Sequence, residues 1–350
     1  MIPDFYSQWH VAWQILMFVA FLAVGIFCLV KFCNVFVDSS SALAKRLHVA
    51  PMIIGLTVVA MGTSAPELAV SVFDSVETLV SGGHANVAIG NVVGSNICNI
   101  LLVLGFSVLF TPIIIDGHTL HKEFPVLLFV TVICLIFGLL FGLNASYGDY
   151  AILRWEGIVL VVLMVAYLVF LIVGAKRHPD ETPSTVIKDS PVWKSLLLIV
   201  LGAAGIAFGG EAVVFGAKGL ALVGAKAAGV DADLAESLVG LTIVAVGTSL
   251  PELVTSVVAA KKGENDLALG NVIGSNVFNI LFVLGISATV NPLTTGESIV
   301  VDMMFMTVVT VLLYLFSLRG KLTKGVGVFF IGAYFLYLVY LILRTLSIVA

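Results

Sequence analysis

Two glutamates, Glu67 and Glu252, stand inside long apolar runs, each beside residues that carry oxygen. Residues 62–67 read GTSAPE and residues 247–252 read GTSLPE. An ionisable side chain at membrane depth is expensive and is read first as a functional group. The proline in each hexapeptide lacks an N–H and crowds the carbonyl four residues earlier, so it breaks a helix. In hydrocarbon the carbonyls it frees need new partners. A cation is one such partner. The carbonyls of Ala60 to Thr63 lie where a half-helix ends and its dipole is negative. Thr63 and Ser64 add hydroxyl oxygens, and Glu67 adds a carboxylate. Hard cations take oxygen ligands, roughly six to eight of them for Ca²⁺. The second hexapeptide offers Thr248, Ser249 and Glu252 in the same order.

A second motif also occurs twice. Residues 90–101 read GNVVGSNICNIL and residues 270–281 read GNVIGSNVFNIL. Gly90 and Gly94 share one helical face, a small-xxx-small spacing that permits close helix approach. Ser95 and Asn99 are also four apart and share a face, able to present oxygen toward the glutamate motifs. Ser275 and Asn279 repeat this. The amides of Asn91, Asn96, Asn271 and Asn276 could be ligands or braces between helices. One GTSxPE alone would fit a kinked helix with a capped polar cluster. Two copies, each with an acid and a matched Asn/Ser segment, point to a buried cation site at a repeat interface.

These motifs must be positioned by membrane helices. The chain has 350 residues, 60% hydrophobic and 11% charged, with a mean hydropathy of +1.15. Its apolar stretches exceed the roughly 20 residues a helix needs to cross hydrocarbon. Runs such as LLFVTVICLIFGLLFGL (127–143) do not alternate, which argues against a membrane β-barrel. The opening MIPDFYSQWH lacks the basic region of a signal peptide. Cys28, Cys33, Cys98 and Cys134 sit in apolar surroundings with no metal spacing and read as small core residues. A net charge of −4 with no basic patch gives no sign of nucleic-acid binding.

The expected fold class is an all-α membrane protein of ten transmembrane helices. The spans fall near 12–37, 48–74, 86–110, 123–143, 151–174, 193–219, 234–260, 267–291, 297–317 and 323–346. Residues 175–194, charged and Pro-containing, read as a cytoplasmic linker between a first repeat, 1–174, and a second, 195–350. With the amino terminus outside, inside loops receive twelve lysines and arginines, among them Lys45, Arg46, Lys261 and Lys262. The outside receives four, Arg154, Lys218, Lys226 and Arg344. Both termini are therefore expected outside. Five spans per half force the halves to be inverted, with spans 2 and 7 broken at the ion site. Glu67 and Glu252 are 185 positions apart, whereas Asn91 and Asn271 are 180 apart, so the first half carries a five-residue insertion within 73–86.

GTSAPE with GSNICNI, repeated as GTSLPE with GSNVFNI, resembles the two α-repeats of the cation/Ca²⁺ exchanger superfamily, in particular prokaryotic Na⁺/Ca²⁺ exchangers. The resemblance covers the whole chain in topology and is close at residue level in spans 2, 3, 7 and 8. It implies secondary active antiport of Na⁺ against Ca²⁺ by alternating access at one central site. Carried over by position, the metal ligands are Thr63, Ser64 and Glu67 with the Ala60 carbonyl, then Thr248, Ser249 and Glu252 with the Ala245 carbonyl. Ser95, Asn99, Ser275 and Asn279 complete the shell. Spans 1 and 6 take the role of sliding helices. Some relatives, including potassium-dependent ones, carry Asp where this chain has Asn279. Two formal carboxylates remain, enough to balance one Ca²⁺ but not three Na⁺, which makes K⁺ co-transport less favoured. No large regulatory loop is present. The implied partners are Na⁺, Ca²⁺ and the bilayer of a prokaryotic plasma (inner) membrane, with no cofactor and no obligate protein partner.

Other functions are weighed on the same residues. A Ca²⁺/H⁺ antiporter would use Glu67 and Glu252 as proton carriers, since burial raises carboxylate pKa values in general. A cation channel could be lined by broken helices, although channels usually assemble from subunits around an axis. An intramembrane hydrolase with Ser64 or Ser249 as nucleophile lacks an accompanying base. Glu211 in span 6 reads either as a gate residue or as a partner of Lys218. Asp38 reads as interfacial, and His48 and His84 as solvated.

Overall fold

The computed structural model describes residues 10–82, 87–140, 150–177, 191–229, 235, 239 and 245–346. In chain order the first half contains helices α1 (Val11–Leu47), α2 (Pro51–Thr63) and α3 (Ala65–Ser81), and α4 (Val87–Phe110). Strand β1 (Ile113–Ile114), helix α5 (Thr119–Leu139), strand β2 (Tyr150–Ile152) and helix α6 (Arg154–Arg177) complete it. The second half contains α7 (Val192–Ala227), α8 (Ala245–Thr248), α9 (Leu250–Lys261) and α10 (Asn265–Val290). Strand β3 (Leu293–Thr295), α11 (Glu297–Ser317), strand β4 (Lys321–Leu322) and α12 (Lys324–Thr345) follow.

Eight of these helices are long and apolar enough to cross a membrane, and the bent pair α2–α3 makes a ninth among the described residues. The first part of the expected seventh span lies outside them, as does His84.

The break in the second span falls at Ser64, where α2 and α3 meet at 49°. Ser64 leaves the helical region (φ −87°, ψ 9°), and Pro66 occupies the first turn of α3, where a missing N–H costs nothing. Ser249 repeats the conformation (φ −88°, ψ 6°) before Pro251 in α9. The proline still leaves the Gly62 carbonyl without its usual donor.

Two boundaries differ from expectation. Both α1, of 37 residues, and α7, of 36, run well past the apolar spans read from sequence. At 1.5 Å per residue each is about 55 Å long, against roughly 30 Å of hydrocarbon. The polar run DSSSALAKR marks the end of the apolar stretch but not of the helix, because Ser39, Ser40, Ser41, Leu43 and Ala44 are buried by packing. The two long helices lie along one another. Their contact is backbone to backbone. A Cβ on Gly25 would sit 2.7 Å from the Val213 nitrogen, and one on Gly209 would sit 2.8 Å from the Leu29 nitrogen.

Helices α4 and α10 form the centre, with 83% and 94% of their apolar windows buried, against 44% or less for the other unbroken spans. They carry the second motif. Each contains a π-helical stretch, Asn99–Val103 in α4 and Asn279–Leu284 in α10, and each stretch begins at the motif asparagine. Such segments recur at functional sites, since the extra residue per turn re-aims side chains.

Around this centre the two halves exchange elements. Strand β1 pairs antiparallel with β4, and β3 with β2. Helix α4 meets α12 at Gly105 and Gly327, and α10 meets α6 at Gly285 and Gly157; a Cβ on either Gly157 or Gly327 would come within 2.7 Å of a backbone oxygen across the contact.

Candidate functional site

The site lies where the two breaks meet α4 and α10. Glu67 is in the first turn of α3 and Glu252 in the first turn of α9. Helix dipoles favour negative charge at such positions. Both side chains are 0% exposed. The halves touch directly: the Ser64 hydroxyl donates to Glu252 Oε1 at 2.8 Å. A hydroxyl three residues before one glutamate therefore holds the other.

Thr63 is the second link. Its hydroxyl lies 3.1 Å from Asn271 Oδ1, 3.3 Å from the Ala60 carbonyl and 3.4 Å from Ser275 Oγ. The Ala60 carbonyl also accepts the Ser64 N–H at 2.9 Å. Asn271 is itself fixed, because its Nδ2 donates to Ser256 Oγ at 2.9 Å. Asn91, its counterpart, donates to Ser71 Oγ at 3.1 Å. Between the central helices, Asn279 Nδ2 donates to Asn96 Oδ1 at 3.2 Å, and Asn96 Nδ2 donates to the Asn276 carbonyl at 3.3 Å. The amides of Asn91, Asn96 and Asn271 thus each meet a neighbouring helix, as the bracing alternative expects, whereas Asn276 contributes only its backbone carbonyl and its own buried amide has no partner among the described residues.

Several buried polar atoms here have no hydrogen-bond partner among the described residues. They include both Glu67 oxygens, Glu252 Oε2, Ser95 Oγ, Ser249 Oγ, Asn279 Oδ1 and the Asn99 amide. Leaving such a group unsatisfied costs about 1–3 kcal/mol, and folded proteins hold few of them. Their concentration at one place, mostly as oxygens, is the chemistry of a hard-cation site. Among the described residues no group of three or more His, Cys, Asp or Glu could hold a metal. The donors are instead two carboxylates with hydroxyls, amides and carbonyls.

Ala60, Thr63, Ser64, Glu67, Ser95, Asn99, Ser249, Glu252, Ser275 and Asn279 are all buried. Thr248 is half-buried at the end of α8, which Ala245 opens. Glu211 is exposed on α7, and no ion pair joins it to Lys218 among the described residues. Asp38 forms an ion pair with Lys262 at 2.6 Å. His48 caps α1 with a left-handed backbone. Ser71 and Ser256 escaped sequence reasoning. Each stands four residues after a motif glutamate and on its face, and both close the duplicated segment, which is the signal that would have found them.

The family model for the sodium/calcium exchanger protein matches residues 17–173 and 194–343. The chain belongs to this family. Similar exchangers span nearly the full length. The putative antiporter CaxA of Alkalimonas amylolytica is 38% identical, over 87% of this chain and 91% of its own. The sodium/calcium exchanger MaX1 of Methanosarcina acetivorans is 31% identical, over 91% and 97%. A solved structure of the sodium-calcium exchanger NCX_Mj, soaked with zero Na⁺ and Ca²⁺, matches with a TM-score of 0.75 at 33% identity, covering 91% of this chain and 97% of that one. The apolar helices and these relatives make the exchanger-family chain a multi-pass membrane protein.

Proposed function

We propose that the chain is an antiporter that exchanges Na⁺ for Ca²⁺ by alternating access at one central site in a prokaryotic plasma membrane. The observation that carries this reading is the bond from Ser64 to Glu252 Oε1, with both glutamates fully buried. It joins the two repeats at a single place, as one shared site requires. The ligands are the Ala60 and Ala245 carbonyls, Thr63, Ser64, Glu67, Ser95, Asn99, Thr248, Ser249, Glu252, Ser275 and Asn279. Two carboxylates match the charge of one Ca²⁺, and the surrounding hydroxyls and carbonyls suit Na⁺.

Ten spans in two inverted repeats, 1–174 and 195–350, joined by a cytoplasmic linker at 175–194, with both termini outside, form the frame. The exchanged strand pairs support it, because β1 and β4 must share one side and β2 and β3 the other, which is the alternation ten spans produce. The family match also skips 174–193. The names of similar proteins point to Na⁺ and Ca²⁺ as cargo.

A second reading, Ca²⁺/H⁺ antiport, draws on the two buried carboxylates, which can carry protons as well as bind metal. Vesicles holding the purified protein separate the two. Ca²⁺ flux driven by a Na⁺ gradient with no pH difference supports Na⁺ coupling. Flux that ignores Na⁺ and follows pH ends it.

A further inference from the structure

A groove of about 430 Å³ opens between α1, α4 and α9. Its walls are apolar, with Val30 from α1, Phe106 and Phe110 from α4 and Val254 from α9. Lys261 and Lys262 close one end. The two lysines are not alike. Lys262 is held by Asp38 at 2.6 Å and by the Asn34 carbonyl at 3.4 Å. The Lys261 ammonium sits 4.1 Å from the Phe110 ring centroid, and no carboxylate pairs with it among the described residues. It is an exposed cation at the mouth of an apolar trough.

The other half of the chain supplies a control. A related groove of about 580 Å³ lies along α3, lined by Ala69, Val72, Val76 and Ile286 among others. By the repeat offsets, Ala69 corresponds to Val254, Val76 to Lys261, Ile286 to Phe106 and Glu77 to Lys262. The same trough is thus built twice, and only the copy at the end of α9 carries positive charge. A cation with no carboxylate partner among the described residues, Lys261, at one mouth alone selects for charge.

We propose that the α1–α4–α9 groove binds an acidic phospholipid, its phosphate on Lys261 and an acyl chain against Phe106, Phe110 and Val254. In the proposed topology the end of α9 faces the cytoplasm, and the proposal rests on that placement. The cytoplasmic leaflet carries the anionic lipids, and basic pockets between helices on that side hold their head groups. Because α1 forms one wall, the bound lipid ties α1 to α9.

Native mass spectrometry of the purified protein, titrated with phosphatidylglycerol or phosphatidylcholine, reads the site without any ion gradient, so the result stands apart from whether the chain exchanges Na⁺. Wild type should retain phosphatidylglycerol over phosphatidylcholine. Lys261→Gln should weaken phosphatidylglycerol retention about fivefold, the factor for one lysine at an anionic surface, while Lys261→Arg keeps it. Val76→Lys with Glu77→Lys should add a second phosphatidylglycerol site. Equal retention of the two lipids by wild type, or undiminished phosphatidylglycerol on Lys261→Gln, overturns the proposal.

Discussion

Asn271 is placed to aim the Thr63 hydroxyl, and that role has a measurable size. Its Oδ1 accepts from Thr63 Oγ1 at 3.1 Å, while its Nδ2 donates to Ser256 Oγ at 2.9 Å. The bond to Ser256 decides which end of the amide faces Thr63. With its proton given to Asn271, the shortest of its contacts, the Thr63 oxygen would keep its lone pairs for the cation of the proposed site. Asn271→Ala removes this acceptor and leaves the proton to the longer Ala60 carbonyl contact at 3.3 Å or turned toward the ion. A net hydrogen bond of this kind contributes about 1 kcal/mol, so Ca²⁺ affinity should fall about fivefold. Thr63→Val removes the ligand oxygen and should cost more. In the Thr63→Val background Asn271 has nothing to aim, so adding Asn271→Ala should cost almost nothing. Calorimetric Ca²⁺ titration of the four proteins completes a double-mutant cycle, with an expected coupling of about 1 kcal/mol. Additivity within about 0.3–0.5 kcal/mol, the behaviour of independent sites, would refute the relay.

Three further outcomes follow from the same geometry. Ser64→Ala deletes the donor to Glu252 Oε1; losing a hydrogen bond to a charged group costs about 1.5–3 kcal/mol, so Ca²⁺ transport at low Ca²⁺ should drop at least tenfold, and near wild-type uptake would show that the bond is idle. Asn279→Asp puts a third carboxylate where the Asn279 amide oxygen now has no partner among the described residues; the Na⁺ dependence of Ca²⁺ flux should change, and an unaltered dependence would remove Asn279 from the ligands. Gly25→Val forces a side chain against the α7 backbone; overpacking of this kind costs about 1–3 kcal/mol, so the thermal midpoint in detergent should fall, and an unchanged midpoint would contradict the close α1–α7 contact.

The chemistry was legible because it is written twice. One GTSxPE is compatible with a kink; its recurrence with the same acid, hydroxyls and proline fixed the two breaks, at Ser64 and Ser249, within two residues of each proline. The matched GSN segments likewise marked α4 and α10, which prove to be the most enclosed helices. What sequence could not supply was register between elements. Nothing in GTSAPE says that Ser64 will meet Glu252 rather than Glu67. The π-helical stretches that begin at Asn99 and Asn279 were not read from the sequence. The tail of α1 was missed because hydropathy measures the bilayer, whereas Ser39, Ser40, Ser41, Leu43 and Ala44 are buried by protein; the tail of α7 beyond Gly219 is half-buried or exposed and has no such account. The close approach expected at Gly90 and Gly94 is not seen, since a Cβ on either would meet nothing within 4 Å among the described residues; it is the second copy, Gly270 and Gly274, that approaches another backbone, that of α2 at Gly55 and Leu56.

The central claim is that Glu67 and Glu252, one from each repeat, serve a single cation. Equilibrium Ca²⁺ titration of the purified protein by calorimetry tests it most directly. The account predicts one Ca²⁺ per chain, lost in Glu67→Gln and lost equally in Glu252→Gln. Two equivalents per chain, each removed by only one of the substitutions, would mean two separate sites and would contradict it.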